Sequence, residues 1–130
     1  MPDSYFISNK QHSPLNKYSS GGSQNLIFNE FLNSILPSNT HPLSAAATHH
    51  FSSKGKQLRA KIALSAGEKF GADNAACLHW ASAVELLHNA SLIHDDICDG
   101  DTIRRNNASV WAKYGRDIAL VLGDWMIAEA

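Results

Sequence analysis

The stretch SLIHDDICDGDTIRRN, Ser91 to Asn106, sets four aspartates and two adjacent arginines within sixteen positions, directly after an apolar run that reads as a buried helix. Carboxylates at such a place are costly to desolvate unless they are paired or hold a metal. In helical register Glu85, His88, Leu92, Asp95 and Asp99 follow spacings of 3, 4, 3 and 4 and share one face, a polar stripe expected to look into an interior cavity. Asp95 and Asp99 are one turn apart with no lysine on that stripe, so they repel each other unless a cation bridges them. Oxygen-only ligands favour a hard ion. Mg²⁺ in particular takes one or two carboxylates and completes its octahedron with water and substrate phosphates.

The neighbouring cations suggest what the phosphate partner would meet. Arg104 and Arg105 follow the aspartates after a short turn, and arginine presents a planar fork of donors that matches phosphate oxygens. Lys56 and Arg59, in SKGKQLRA, form a second basic group at a helix start preceded by Gly55, where backbone donors also favour anions. Aspartates, a histidine and two basic groups thus make one constellation able to bind a phosphorylated ligand beside an apolar interior. Spacing alone also leaves open a plainer reading. Paired aspartates are common, helix ends often carry them, and an arginine pair often closes a surface turn.

The elements that would position these residues are helical. Residues 24–36 place Leu26, Ile27, Phe28, Phe31, Leu32, Ile35 and Leu36 at helical spacings and end at Pro37. Residues 37–55, with two prolines and several serines, read as a connection, and His41, His49 and His50 as solvated loop residues rather than a metal cluster. A helix from Leu58 ends at Gly71, and the next starts behind Asp73 or Asn74 as N-cap and runs to about Asp99, with Gly100 ending it. A last helix starts near Arg116. Thr102–Ile103 and Ser109–Val110–Trp111 are too short to read as strands, so the expected class is all-α, the N-terminal portion of a helical bundle. Residues 1–23, rich in Ser, Asn, Gly and Gln, read as a disordered tail before a helical domain over 24–130.

Composition adds exclusions. A net charge of −1 and 18% charged residues argue against nucleic acid and anionic membrane surfaces as partners. No apolar run approaches a membrane span or a signal-peptide core. Cys77 and Cys98 sit on one expected helix, roughly 30 Å apart at 1.5 Å per residue, too far to bridge. A reduced, cytoplasmic protein is the expectation.

At these residues the sequence resembles a known family. DDICD followed by DTIRRN resembles the first aspartate-rich motif, DDxxD, of the trans-isoprenyl diphosphate synthases (the polyprenyl synthetases), with its trailing arginine pair. AVELLHNASLIHDD is similar to the helix leading into that motif, KGKQLRA to the family's GGKRLRP, and LVLGDWMIAEA to the following helix with its GD pair. The resemblance covers about residues 54–130. It implies an all-helical bundle around a deep cavity, usually a homodimer, that joins an allylic diphosphate to isopentenyl diphosphate with Mg²⁺. Carried over residue by residue, it implies Asp95 and Asp99 as Mg²⁺ ligands with Asp96 in the same acidic shell. Arg104 would hold the allylic diphosphate, and Lys56, Arg59, His88 and Arg105 isopentenyl diphosphate.

The sequence also departs from the family pattern. Lys54, Gln57 and Ala60 stand where the family has glycine, arginine and proline, which bears on the shape of that loop. Ala90, five residues before Asp95, is small where a bulky aromatic would block a growing chain, and so leans toward a medium or long product. Family members run to about three hundred residues and carry a second aspartate-rich motif. The expectation is therefore an incomplete chain lacking the C-terminal half, inactive by itself. Two other classes are weighed: a partner-dependent, non-catalytic subunit of a heteromeric synthase, and a fragment of a class I terpene cyclase. The Lys56/Arg59 group and the arginine pair argue against the cyclase, which has no second diphosphate to hold.

Overall fold

The computed structural model of the protein describes residues 21–53 and 55–130. Six helices occupy most of them: α1 (Gly21–Ile35), α2 (Ser44–Ser52), α3 (Leu58–Lys69), α4 (Asn74–Asp99), α5 (Val110–Tyr114) and α6 (Arg116–Glu129). Between α4 and α5 lies a small antiparallel hairpin of β1 (Ile103–Arg104) and β2 (Asn107–Ala108), pairing Ile103 with Ala108 and Arg104 with Asn107. The all-α expectation holds, the hairpin being an addition that the sequence reading passed over. The expected tail over 1–23 overlaps the first turn of α1 at Gly21–Ser23, and its remainder lies outside the described residues.

α4 is the axis of the fold, packed most closely by α6 and α3. Its start is fixed by Asp73, whose extended backbone lets Oδ2 accept from the amides of Ala75 at 3.1 Å and Ala76 at 3.2 Å. Its end is fixed by Gly100 at φ 73°, a left-handed conformation cheap only for glycine. Along its inner face Ala81, Leu86, Ala90 and Ile93 meet Phe28 and Leu32 of α1, Ala60 of α3 and Ala119, Leu122 and Met126 of α6 in one core. Removing a side chain such as Leu86 from that core would cost about 2–5 kcal/mol.

One expectation is corrected here. Within the segment read as a connection over 37–55, residues 44–52 form α2, which buries Ala46, Ala47 and His50. His50 is therefore no solvated loop residue, and His49 is half-buried, with its ring edge against Tyr114. The helix was hidden because its inner face is built of alanine and histidine. It gains its burial from α5 and α6 rather than from a strong apolar period of its own.

Candidate functional site

The last two turns of α4 carry the acidic residues, and they divide by face. Asp95 and Asp99 are exposed and have no hydrogen-bond or ion-pair partner among the described residues. Asp96 points the other way and is 1% exposed. Its carboxylate is gripped by Arg104, whose Nε donates to Oδ1 at 2.9 Å and Oδ2 at 2.8 Å while Nη2 donates to Oδ1 at 2.6 Å. Hydrogen bonding to this buried carboxylate raises the already high proton affinity of the guanidinium, and the charges of Asp96, Asp101 and Asp95 add to it. Arg104 keeps its Nη1 without a partner among the described residues.

The hairpin turn carries Arg105. Two-residue hairpin turns of the primed type need positive φ at both central positions, and here Arg105 (φ 50°) and Asn106 (φ 64°) supply them. Asparagine tolerates that region; arginine does so at a cost of roughly 1–2 kcal/mol. The strained backbone swings Arg105 over to the loop before α3, where Nη1 donates to the carbonyl of Ser53 at 2.9 Å. Gly55 makes this approach possible, since a Cβ there would lie 2.6 Å from Arg105 Nη2. The two basic segments, separated by about fifty residues of chain, thus meet at one place.

Lys56 and Arg59 extend from the same loop and the first turn of α3, both exposed. Gln57 between them is also left-handed (φ 49°) and is steadied by its Nε2 donating to Asn29 Oδ1 of α1 at 2.9 Å. His88 lies half-buried on α4 near this group. Burial chiefly, then the charges of Arg59, Arg105 and Arg104, push its proton affinity below the usual histidine value, while Glu85 opposes them. A neutral imidazole is the consequence at neutral pH.

The polar stripe read from spacing is thereby refined. His88, Asp95 and Asp99 do reach open surface or its margin, but Glu85 is 5% exposed, beside Asn29 and Leu32 of α1 and the loop at Gly55 and Gln57. Glu85 belongs to a buried chain the sequence reading missed. His50 Nε2 donates to Asn89 Oδ1 at 2.8 Å, and Asn89 Nδ2 donates to the carbonyl of Glu85 at 2.7 Å. Burial holds the His50 ring down at about 4, the Asn89 contact only partly offsetting it and the two arginines adding to the depression. The visible signal was Asn89, a poor helix former inside an apolar helix. Ala90 sits inside the core with no accessible surface.

Among the described residues no three His, Cys, Asp or Glu side chains converge as a metal cage. Asp95 and Asp99 still fit Mg²⁺, because that ion needs only one or two carboxylates and takes the rest of its shell from water and phosphate. Both oxygens of Asp96, by contrast, are occupied by Arg104.

The helical arrangement is that of the isoprenoid synthase fold: a family member from Thermotoga neapolitana superposes with a TM-score of 0.73 at 30% identity, over 82% of this chain and 42% of that one. The family model described as polyprenyl synthetase matches residues 40–130, and the chain belongs to that family. It is 38% identical over 112 residues to a geranylgeranyl diphosphate synthase of Saccharolobus solfataricus, covering 81% of this chain and 34% of that protein. It is 43% identical over 76 residues to a (2E,6E)-farnesyl diphosphate synthase of Mycobacterium tuberculosis, covering 58% of this chain and 21% of that one. A polyprenyl synthase of Caulobacter crescentus, solved with calcium and isoprenyl diphosphate, superposes with a TM-score of 0.77 at 30% identity, over 83% of this chain and 33% of that one. The chain spans about a third of the length of the curated relatives it matches first.

Proposed function

We propose that the chain contributes the acidic helix end and both basic loops to the site of a prenyltransferase that joins an allylic diphosphate to isopentenyl diphosphate. The observation that carries this reading is the junction of the Arg104–Arg105 hairpin with the loop at Gly55, after a helix end whose Asp95 and Asp99 have no partner among the described residues. Two diphosphates need two basic groups, which the hairpin and the Gly55–Lys56 loop would supply. Asp95 and Asp99 would hold Mg²⁺, which supplies neutralisation of the charge that builds on the departing diphosphate. Asp96 belongs to the same acidic shell and fixes Arg104, whose free Nη1 would meet the allylic diphosphate. Lys56, Arg59 and Arg105, with neutral His88 as a donor, would hold isopentenyl diphosphate. Exposed Leu87, Leu120, Val121 and Ile127 support assembly with a second polypeptide, in the first instance another copy. The free thiols of Cys77 and Cys98 suit a reducing, cytoplasmic setting.

The test is product formation from labelled isopentenyl diphosphate and an allylic diphosphate by the protein expressed from its native reading frame, with and without Mg²⁺. Asp95→Ala and Asp99→Ala should each abolish the Mg²⁺-dependent product. Turnover retained in either variant sinks the assignment.

A further inference from the structure

α6 contains a glycine where helix propensity disfavours one. Gly123 lies in the middle of RDIALVLGDWMIAE and is buried, although glycine in a helix interior costs about 1 kcal/mol relative to alanine. Its surroundings explain it. A Cβ at this position would overlap the imidazole of His94, with Nε2, Cδ2 and Cε1 all inside contact distance. The missing side chain lets the His94 ring of α4 come close against the backbone of α6. There Nε2 donates to the carbonyl of Leu120 at 3.1 Å and stands 3.7 Å from Asp124 Oδ1.

His94 immediately precedes Asp95. The last turns of α4 are therefore held from two sides. On one, Asp96 is gripped by Arg104; on the other, His94 is docked on α6. Neither contact uses the carboxylates of Asp95 or Asp99, and both fix the backbone that carries them. A carboxylate pair bridging one ion depends on that backbone, because displacement of about 1 Å in a site can cost on the order of a hundredfold.

We propose that His94, seated in the Gly123 notch and tied to Leu120, is a positioning residue that sets the spacing and direction of the Asp95 and Asp99 carboxylates for a divalent cation. The proposal rests on the reading of those two aspartates as metal ligands. His94 touches neither substrate nor ion; it acts through the helix.

The decisive comparison is Mn²⁺ binding, read from the free-ion paramagnetic signal without substrate, in the parent protein and in His94→Phe, His94→Gln and Asp95→Ala. Circular dichroism confirms that each variant is folded. Phenylalanine fills the notch without a donor and should weaken Mn²⁺ binding by about tenfold, at the lower end of what loss of a supporting contact costs a metal site. Glutamine keeps an N–H for the Leu120 carbonyl and should restore binding close to the parent. Gly123→Ala, which expels the ring, should reproduce the loss. If Asp95→Ala abolishes Mn²⁺ binding while His94→Phe leaves it unchanged, the positioning role falls and the metal reading stands. If the parent binds no Mn²⁺, or Asp95→Ala binds as the parent does, the metal reading falls and takes this proposal with it.

Discussion

Arg104 and Asp96 form a forked ion pair in which a guanidinium, one quarter exposed, closes on a carboxylate 2% exposed at its side chain. The pair joins the hairpin to the end of α4 and so links the acidic segment to the basic one. A buried pair is weak evidence of net stabilisation, but removing one partner leaves a charge in the interior without compensation. Arg104→Ala should therefore lower the unfolding free energy by about 3–5 kcal/mol. Replacing both members, as Asp96→Leu with Arg104→Met, should recover much of that loss, whereas turnover should stay lost. Chemical denaturation of the single and double variants reads the difference; equal stability of all three would mean that the pair is solvated in solution.

The burial of His50 predicts a pH dependence. His50 has an ordinary value of 6.5 and a folded value of about 4. Between those limits the unfolded chain binds a proton that the folded chain does not, so stability rises with pH across this window and is lost as pH falls from 6.5 toward 4. The loss amounts to on the order of 3 kcal/mol below the lower limit. His50→Gln keeps a donor for Asn89 Oδ1 and does not titrate, so its unfolding midpoint should vary less with pH over the same range. An unchanged slope in that variant would assign the acid sensitivity to other groups.

The sequence was most legible where signals are local. Asp73 and Gly100 bound α4 as expected because an N-cap carboxylate and a left-handed glycine act on the residues beside them. α2 escaped because a short alanine run just after Pro42 shows no apolar period, and its burial is a tertiary effect. The hairpin escaped because only Asn106 of its turn favours positive φ, and Arg105 would not be chosen for it. In the site, the expected helix does carry His88, Asp95, Asp96 and Asp99, but Asp96 turns away from Asp95 and Asp99 into the interior. Contact between Arg105 and the loop at Gly55 is long-range and leaves no trace in spacing. The helical wheel set Glu85 beside His88, Asp95 and Asp99, yet a wheel has no knowledge of which neighbours pack over it, and Glu85 is buried beside α1 and the loop before α3.

Arg105 offers a separation of stability from function. Its left-handed backbone costs roughly 1–2 kcal/mol that asparagine largely avoids, while its side chain supplies one hydrogen bond to Ser53. Arg105→Asn should therefore leave thermal stability unchanged or slightly raised. The same change should raise the KM for isopentenyl diphosphate while affecting the allylic substrate far less. A parallel rise in both KM values would mean that the two arginines do not divide the substrates.

α3 and α4 approach closely where Gly67 faces Cys77. A Cβ on Gly67 would overlap Cys77 Sγ and lie 3.3 Å from its Cβ. Alanine is the better helix former by about 1 kcal/mol, so propensity alone predicts that Gly67→Ala stabilises α3. Overpacking of a tight contact costs about 1–3 kcal/mol and should win, because both helices are anchored elsewhere and Cys77 is itself buried. Cys77→Ala removes the overlapping sulfur and leaves the tolerable methyl contact. The double variant should therefore regain most of the stability that Gly67→Ala loses, a coupling that denaturant unfolding of the four proteins in the cycle measures directly. Additive effects would show that the helices separate freely at this point, and the close α3–α4 seam that places Arg59 beside His88 would then need another anchor.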